Sequence, residues 1–279
     1  MTPKIAICGF GTMGEVLAKG LVRSGEARAE DLALTVASER RAAARRESTG
    51  FAVGTDSVAA ASGADVVFLC VKPHAMTGLV EELASAGALD HGPVVVSIAA
   101  GVRLADLVGR AERARWIRVM PNTPCQIGEG MSVLAPGPGV DEQTVGTVER
   151  LFAPLGRTLV LDERYMDIVT GLSASGPAFV YVIIEALAEG GVMMGLPRRI
   201  ATTMAAQMVR GASTMVLETD RHPAELKDDV TTPAGCTISA LMALEDGKLR
   251  SVLARGVQEA ARAAAELRTA TPPGSDITS

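Results

Sequence analysis

The feature that most constrains the fold is a glycine-rich turn near the start of the sequence, in the stretch KIAICGFGTMG at residues 4–14. The apolar run before the glycines predicts a short buried β-strand, and the residues after them continue at helical spacing. Gly9, Gly11 and Gly14 form the pattern G-x-G-x-x-G, which in this strand-to-helix context indicates a dinucleotide-binding turn. We expect a pyrophosphate at the N-terminus of the helix, where backbone N–H groups are unpaired. The alternative is a glycine-rich turn that binds nothing.

Length and composition limit the class of protein. The chain has 279 residues, enough for two domains that each bury a core of their own. Its formal net charge of -5 argues against nucleic acid or an acidic membrane surface as a partner. Aromatic residues make up 3% of the chain. Together with abundant Ala, Val, Leu and Gly, this low content favours an α/β enzyme over a β-sandwich.

Cysteine usage and the N-terminus predict the cellular compartment. Cys8, Cys70, Cys125 and Cys236 are widely spaced, and the chain has three histidines. This pattern indicates neither a disulfide framework nor a zinc site, so we expect reduced thiols and no metal. Met1 leads at once into the first strand, and no apolar run approaches the length of a membrane span. The sequence therefore predicts a cytoplasmic protein without a membrane partner.

The turn after the second predicted strand, residues 32–36, should select the nicotinamide cofactor. It contains Ser38, Glu39, Arg40 and Arg41. An NAD enzyme usually places an acid here for the ribose 2′-hydroxyl, whereas a 2′-phosphate requires a hydroxyl and an arginine. Ser38 and the arginines favour NADPH, and Glu39 argues for NADH. The alternative is that both arginines lie on the solvated face of the next helix.

Further strands are predicted at residues 66–71, 94–98, 116–119 and 157–161, with a loop at 136–139 and a helix at 141–152. Each of the first three strands is followed by residues that end regular secondary structure. Lys72 comes directly before Pro73 after the first of them, where it can point across the carboxyl edge of the sheet. A lone lysine in that position is more often merely solvated.

The pattern changes after Asp162 from alternating strands and helices to helices alone. Long Ala-rich helices are predicted at residues 175–194, 197–218 and 247–268. The segment PAFVYVIIEALA, which begins at Pro177, is apolar nearly all round and predicts a helix buried on every side. Such a block needs more cover than it can give itself, so we expect a second chain. A compact monomeric bundle is the alternative, and the tail from Ala270 has the composition of a disordered segment.

One loop between these helices contains residues that could bind a substrate. Regular helical structure is interrupted from Thr232 to Gly235. The next helix is predicted to begin at Cys236 and Thr237. A carboxylate can bind the free N–H groups of that helix start, as a phosphate does. The Thr237 hydroxyl can donate to a substrate nitrogen. The alternative is a helix cap that binds nothing.

Six ordered motifs resemble pyrroline-5-carboxylate reductase, the last enzyme of proline biosynthesis, over almost the whole chain. They are the glycine turn, VKPH at 71–74, MPNTP at 120–124, GLSASGPAF at 171–179, GLPRR at 195–199 and HPAELKDDVTTPAGCTI at 222–238. The resemblance implies an N-terminal Rossmann-like doubly wound sheet at residues 1–162 and an all-helical substrate and dimerisation domain at 163–269. Residues 270–279 form the tail. It also implies at least a homodimer, often assembled into a ring of dimers.

The resemblance further implies that a cyclic imine, 1-pyrroline-5-carboxylate, is reduced to L-proline by NAD(P)H. Matched by position, the cofactor contacts are Gly9, Phe10, Gly11, Thr12, Met13, Ser38, Arg40, Val71, Lys72, Pro73 and Ala100. The substrate contacts are Glu163, Thr232, Gly235, Cys236 and Thr237, and Thr237 is the candidate catalytic residue.

This sequence departs from the family pattern at three positions. Ala234 replaces a glycine of the substrate loop, Ala174 replaces a glycine before the first long helix, and Asp229 stands where Asn is frequent. If position 234 requires a positive φ, alanine costs about 1 kcal/mol there. These changes bear on the substrate range more than on the reaction class.

Three other functions share this domain plan or part of it. A β-hydroxyacid dehydrogenase requires a lysine one turn into the helix after its Gly-x-Gly motif, but this chain has Phe-Val-Tyr-Val at residues 179–182. Another imine reductase differs only in its substrate. A protein that binds NADP without catalysis is disfavoured because Lys72, Glu163 and Thr237 are all present.

Overall fold

The structure, a computed structural model, describes residues 3–267. The tail predicted at residues 270–279 and the end of the predicted helical domain at 269 lie outside these residues. One eight-stranded sheet runs in the order β3-β2-β1-β4-β5-β6-β7-β8. The strands are β1 (Ile5–Cys8), β2 (Leu32–Thr35), β3 (Val53–Gly54), β4 (Val66–Leu69), β5 (Val94–Ser97), β6 (Arg115–Met120), β7 (Gly130–Pro136) and β8 (Gly156–Val160).

Helices follow most strands and then continue alone to the end of the described chain. They are α1 (Thr12–Ser24), α2 (Glu39–Thr49), α3 (Ser57–Ala61), α4 (Pro73–Ser85), α5 (Glu142–Phe152), α6 (Met166–Val169), α7 (Gly176–Met193), α8 (Arg198–Thr219), α9 (Pro223–Asp229), α10 (Cys236–Asp246) and α11 (Leu249–Glu266).

The sheet has the doubly wound arrangement that the sequence predicts. Strands β1 to β6 pair in parallel, and β7 is antiparallel to β6. Chain order reverses on either side of β1, because β2 and β4 are its two neighbours. Ligands of such sheets bind at the carboxyl ends of the strands beside this reversal. The fold therefore places the glycine turn after β1 at the expected binding edge.

The central strands are buried on both faces, which explains their uninterrupted apolar sequences. Ile5 and Ile7 of β1 pack on one face with Phe68 of β4. The alternate residues Ala6 and Cys8 pack on the opposite face, in a second cluster. This alternation follows from the two-residue repeat of a β-strand.

Two strands were missed by sequence reasoning, and one boundary was wrong. β7 ends at Pro136, which the sequence assigned to a loop, and the two-residue β3 carries no recognisable pattern. β7 pairs antiparallel with β6, the preceding strand, and its own segment is bounded by Gly130 and Pro136. β4 ends at Leu69, so residues 70–71 already belong to the turn before α4.

Contacts divide the chain into two compact units. One contains the sheet and its helices through Ala174, together with the end of α11 from Glu259. The other is Ser175–Gln258, which contains α7 to α10 and the start of α11. Within the second unit, α7 and α8 pack through Ala188, Ala201 and Ala205.

The prediction that α7 is buried on every side is wrong for a single chain. Ala188 is its one buried residue, and Tyr181 and Val182 are 61% and 65% exposed. The helical run Glu163–Met193 contains an 18-residue window with a mean hydropathy of 1.5, and the run is long and apolar enough to cross a membrane by length and composition. The prediction that no stretch approaches that length is therefore also wrong. A single run of this kind is weak evidence for a membrane span, because apolar helices at protein interfaces have the same composition.

Candidate active site

The glycine turn has the geometry that a dinucleotide requires. Gly9 has a φ of 101°, and a β-carbon there would lie 2.7 Å from the carbonyl carbon of Cys70. A β-carbon on Gly14 would lie 2.8 Å from the carbonyl oxygen of Gly9. These two positions therefore exclude any side chain and let α1 pack closely against the end of β1.

Gly11 faces open space, in contrast to the other two glycines. No heavy atom of the described chain, apart from its own sequence neighbours, lies within 4 Å of a β-carbon built on it. Gly11 is also the N-cap of α1, and no side chain caps this helix start. The N–H groups of Thr12 and Met13 are thus left for an external acceptor, and an anion is favoured there by the helix dipole. The residues present fit the pyrophosphate of a dinucleotide.

Phe10 holds the glycine turn against the protein core. Its side chain is fully buried and packs edge-to-face on Phe51, with ring centroids 5.8 Å apart. Its N–H donates to the carbonyl oxygen of Thr35 at 2.7 Å, which ties the turn to the end of β2.

The end of β2 presents the residues predicted to select the cofactor. Ser38 is the exposed N-cap of α2, but its hydroxyl makes no capping hydrogen bond. Glu39 is ion-paired with Arg46 of the same helix. Arg40 and Arg41 are exposed at the first turn of α2. The acid that favours NADH is therefore partly neutralised, whereas the hydroxyl and the arginines that favour NADPH are accessible.

Three further predicted cofactor contacts lie at the same edge of the sheet, after β4. Val71 is half-buried, and its Cγ1 would lie 2.9 Å from a β-carbon on Gly9. Lys72 is the exposed N-cap of α4, and Pro73 is the first residue of that helix. A proline suits this position because the first helical N–H has no intrahelical partner. Lys72 therefore follows the carboxyl end of β4, and its contact with the cofactor stays a prediction.

Ala100 lies in the loop after β5, the next strand along the sheet. It is half-buried and packs against a cluster that includes Met120 and Met166. Residues 98–104, the β5 loop, lead from β5 into a short 3₁₀ turn that begins at Leu104. The turn after β1 and the loops after β2, β4 and β5 thus meet one edge of the sheet.

Arg118 is a central residue that sequence reasoning missed. It is fully buried on β6, and its Nη1 donates to Oε1 of Glu163 at 3.3 Å. The same oxygen accepts the N–H of Leu104 at 2.7 Å. Asp167 provides a second carboxylate, 3.9 Å from Nη2 of Arg118. The only local signal in the sequence is a single charge inside the apolar strand Trp-Ile-Arg-Val-Met.

Asn122 anchors the break after β6. Its Oδ1 accepts the N–H of Met131 at 3.0 Å, and its Nδ2 donates to the carbonyl oxygen of Ser173 at 3.3 Å. Ser173 belongs to the π-helical turn Thr170–Ala174, which also contains the departure Ala174. Such turns frequently occur near functional sites.

The predicted substrate loop lies in the second unit. The N–H of Gly235 donates to the carbonyl oxygen of Thr232 at 3.0 Å and closes a four-residue turn. Ala234 has a φ of 58°, so this position does adopt the conformation that favours glycine. Cys236 and Thr237 are the first two residues of α10, which has Gly235 as N-cap and no side-chain cap. Backbone N–H groups and the Thr237 hydroxyl are thus presented at one helix start.

The departure at position 229 is compensated within the same unit. Oδ2 of Asp229 accepts from Nη1 of Arg221 at 2.6 Å. This hydrogen bond lowers the pKa of the Asp229 carboxyl. The added negative charge therefore has a partner outside the substrate loop.

The cysteines are free thiols. Burial raises the pKa of Cys8 to about 11, and burial also raises the pKa of Cys70. Neither is a thiolate near neutral pH, so neither is suited to nucleophilic catalysis. Among residues 3–267, no group of three His, Cys, Asp or Glu side chains could hold a metal ion.

Comparisons with known proteins agree with this geometry. Residues 163–267 match the family described as pyrroline-5-carboxylate reductase dimerisation, and residues 4–101 match NADP oxidoreductase coenzyme F420-dependent. A pyrroline-5-carboxylate reductase of Arabidopsis thaliana is 43% identical, over 95% of this chain and 95% of that protein.

Two solved structures are similar over nearly the whole chain. A pyrroline-5-carboxylate reductase from Coxiella burnetii is 31% identical with a TM-score of 0.87, covering 96% of this chain and 99% of that one. The Plasmodium falciparum pyrroline carboxylate reductase with NADP bound is 26% identical with a TM-score of 0.84, covering 95% and 98%. This chain therefore belongs to the pyrroline-5-carboxylate reductase family of oxidoreductases, with an N-terminal Rossmann-like domain and a C-terminal helical domain.

Proposed function

We propose that this protein reduces 1-pyrroline-5-carboxylate to L-proline, with NADPH preferred over NADH. The observation that carries the proposal is the pair of uncapped helix starts, one at each predicted ligand position. The start of α1 suits a pyrophosphate, and the start of α10 suits a carboxylate beside a hydroxyl. Family membership supports the reaction class.

The residues of the chain bind and orient rather than react covalently. The turn Gly9–Gly14 and the N–H groups of Thr12 and Met13 hold the pyrophosphate, and Lys72 adds a positive charge at the same edge. The N–H groups of Cys236 and Thr237 bind the substrate carboxylate in the turn formed by Thr232 and Gly235. Positioning of this kind can supply a large part of a rate enhancement.

NADPH, when bound, supplies the hydride that adds to the C=N carbon. The ring nitrogen then has to hold or gain a proton. In this proposal the Thr237 hydroxyl, in the first turn of α10, donates a hydrogen bond to that nitrogen as it becomes an amine. A general base is not required, which agrees with cysteine thiols that stay protonated near neutral pH.

Preference for NADPH is supported by the charges at the start of α2. The carboxylate of Glu39 is ion-paired with Arg46, so it is a weaker acceptor for a ribose 2′-hydroxyl. Ser38 and Arg40 are exposed beside it, with Arg41 following, and can bind a 2′-phosphate by charge-assisted hydrogen bonds.

We propose that the chain works as a cytoplasmic homodimer, with a ring of dimers as the larger assembly and without a nucleic-acid or membrane partner. The dimerisation family matched at residues 163–267 and the exposed apolar side chains of α7 support self-association. We assign cofactor binding to a domain at residues 1–162, and substrate binding and dimerisation to a domain at residues 163–269. The four free thiols are consistent with a reducing compartment.

The function is tested by following NADPH oxidation with two cyclic imino acids. We expect turnover with 1-pyrroline-5-carboxylate and weaker turnover with the six-membered piperideine carboxylate. Turnover with the larger ring alone would assign the protein to a different imine reductase. Absence of NADPH oxidation with either imine would leave a binding protein without this activity.

A further inference from the structure

The β5 loop has little regular structure, yet it carries Ala100, a predicted cofactor contact at the carboxyl edge of the sheet. The contacts that hold this loop in place are therefore relevant to cofactor binding. It connects β5, which ends at Ser97, to the 3₁₀ turn at Leu104. Loops of this length are mobile unless other elements hold them. Two separate contacts hold this one, and each involves an element that is distant in sequence.

The first contact is made by Glu163 at the end of the loop. Oε1 of Glu163 accepts the N–H of Leu104 at 2.7 Å and a hydrogen bond from Nη1 of Arg118 at 3.3 Å. Arg118 is fully buried on β6, the strand beside β5. A buried guanidinium strongly favours a carboxylate partner, since leaving the charge unpaired is costly. The carboxylate therefore fastens the end of the loop to the sheet.

The second contact is made at the middle of the loop by the last turn of α11 and by Leu267, the residue that follows this helix. Gly101 is buried with a φ of 75°, and a β-carbon there would lie 2.9 Å from Cβ of Leu267 and 3.4 Å from the carbonyl oxygen of Ala264. Ala264 itself is buried. The loop is thus enclosed at the residue next to Ala100, and Glu163 completes its restraint.

We propose that Glu163 is a positioning residue for the cofactor, which acts through Leu104 and the β5 loop, and is not a ligand of the imine. Arg118 orients it. This inference rests on the proposed function, because it takes Ala100 as a cofactor contact. It reassigns the role that the family resemblance implies for Glu163, on the basis that its Oε1 already accepts from two donors within the sheet unit.

The test separates cofactor binding from substrate binding. NADPH affinity is measured by calorimetric titration, and KM for 1-pyrroline-5-carboxylate is measured at saturating NADPH. Glu163→Ala removes both hydrogen bonds and should weaken NADPH binding by about tenfold. Glu163→Gln retains a carbonyl acceptor for Leu104 but loses the ion pair, so its effect should be smaller. KM for the imine should stay within about twofold of the wild-type value in both variants.

Asp162→Asn is the matched control. Asp162 is the adjacent carboxylate, but it accepts the N–H of Arg164 at 2.9 Å and is exposed, so NADPH affinity should not change. If Glu163→Ala does not fold, the isosteric Glu163→Gln decides the question. Unchanged NADPH affinity, or a raised KM for the imine at saturating NADPH, would overturn the proposal. NADPH titration needs no turnover, so it remains decisive even if the wild-type protein does not reduce the imine.

Discussion

Gly235 donates its N–H to the carbonyl oxygen of Thr232 at 3.0 Å, and this bond closes a turn whose third residue is Ala234 with a φ of 58°. Pro233 at the second position and a positive φ at the third are the features of a type II turn, which favours glycine there. Ala234→Gly should therefore raise the free energy of unfolding by about 1 kcal/mol, measured by urea denaturation.

Lys248→Gly is a control for this prediction, since Lys248 also has a φ of 58° but lies outside the turn. Both variants should be stabilised, whereas only Ala234→Gly should change KM for the imine. An Ala234→Gly protein that is less stable than the wild type would show that the backbone strain at this position is not significant.

Thr237 should matter in the transition state more than in the ground state. Its hydroxyl does not cap α10, because the N-cap is Gly235 and no side chain caps this helix start. Thr237→Val should lower kcat by about 10²-fold to 10³-fold with a smaller change in KM. Thr237→Ser retains the hydroxyl and should keep much of the activity.

Melting temperature measured on the same two variants distinguishes the alternative. If Thr237 has only a structural role, replacing it by valine should lower the free energy of unfolding of the protein by about 1 kcal/mol and leave kcat per folded enzyme unchanged. An unchanged kcat in folded Thr237→Val would remove the hydroxyl from the mechanism.

Cofactor selection should depend on the arginines at the start of α2. Replacing Arg40 and Arg41 together by alanine should raise KM for NADPH by about tenfold or more, because a charge-assisted phosphate contact is lost. KM for NADH should change little. Arg113→Ala is the control, since Arg113 is exposed at the opposite, amino-terminal edge of the sheet, just before β6. Equal effects of the double substitution on both cofactors would contradict this assignment.

Self-association should depend on the exposed apolar surface of α7. Sedimentation of the full chain should show at least a dimer at micromolar concentration. Val182→Glu should shift this equilibrium toward monomer, because Val182 is 65% exposed within the dimerisation segment. Ile127→Glu is the matched control, since Ile127 is 76% exposed but lies outside that segment. A stable wild-type monomer would contradict the prediction.

The sequence predicted the buried strands and the first glycine turn, because each depends on only a few neighbouring residues. The runs at β1, β4 and β5 are apolar throughout because both faces are buried, and the three glycines of the first turn follow from one backbone geometry. The replacement of a motif glycine by Ala234 pointed to the position at which φ had to be checked, and φ is positive there. Each of these signals lies within a few residues.

The remaining features depend on distant parts of the chain or on a second chain. Arg118 and Glu163 are 45 residues apart, and nothing near either residue indicates its partner. β7 was missed because its pairing with β6 reverses the parallel pattern. The apolar surface of α7 was read as buried, but a single chain leaves it exposed. The all-round apolar pattern indicates that a second chain is needed, but it does not specify which surface of that chain covers α7.

In the proposed reaction a hydride passes from NADPH to the C=N carbon of 1-pyrroline-5-carboxylate. The most direct measurement uses NADPH deuterated at the transferable position of the nicotinamide, followed by mass spectrometry and NMR of the product. We expect L-proline with one deuterium, on the ring carbon that was doubly bonded to nitrogen and not on the carbon bearing the carboxylate. Proline without the label, or no proline with the cofactor left unoxidised, would contradict the proposed hydride transfer.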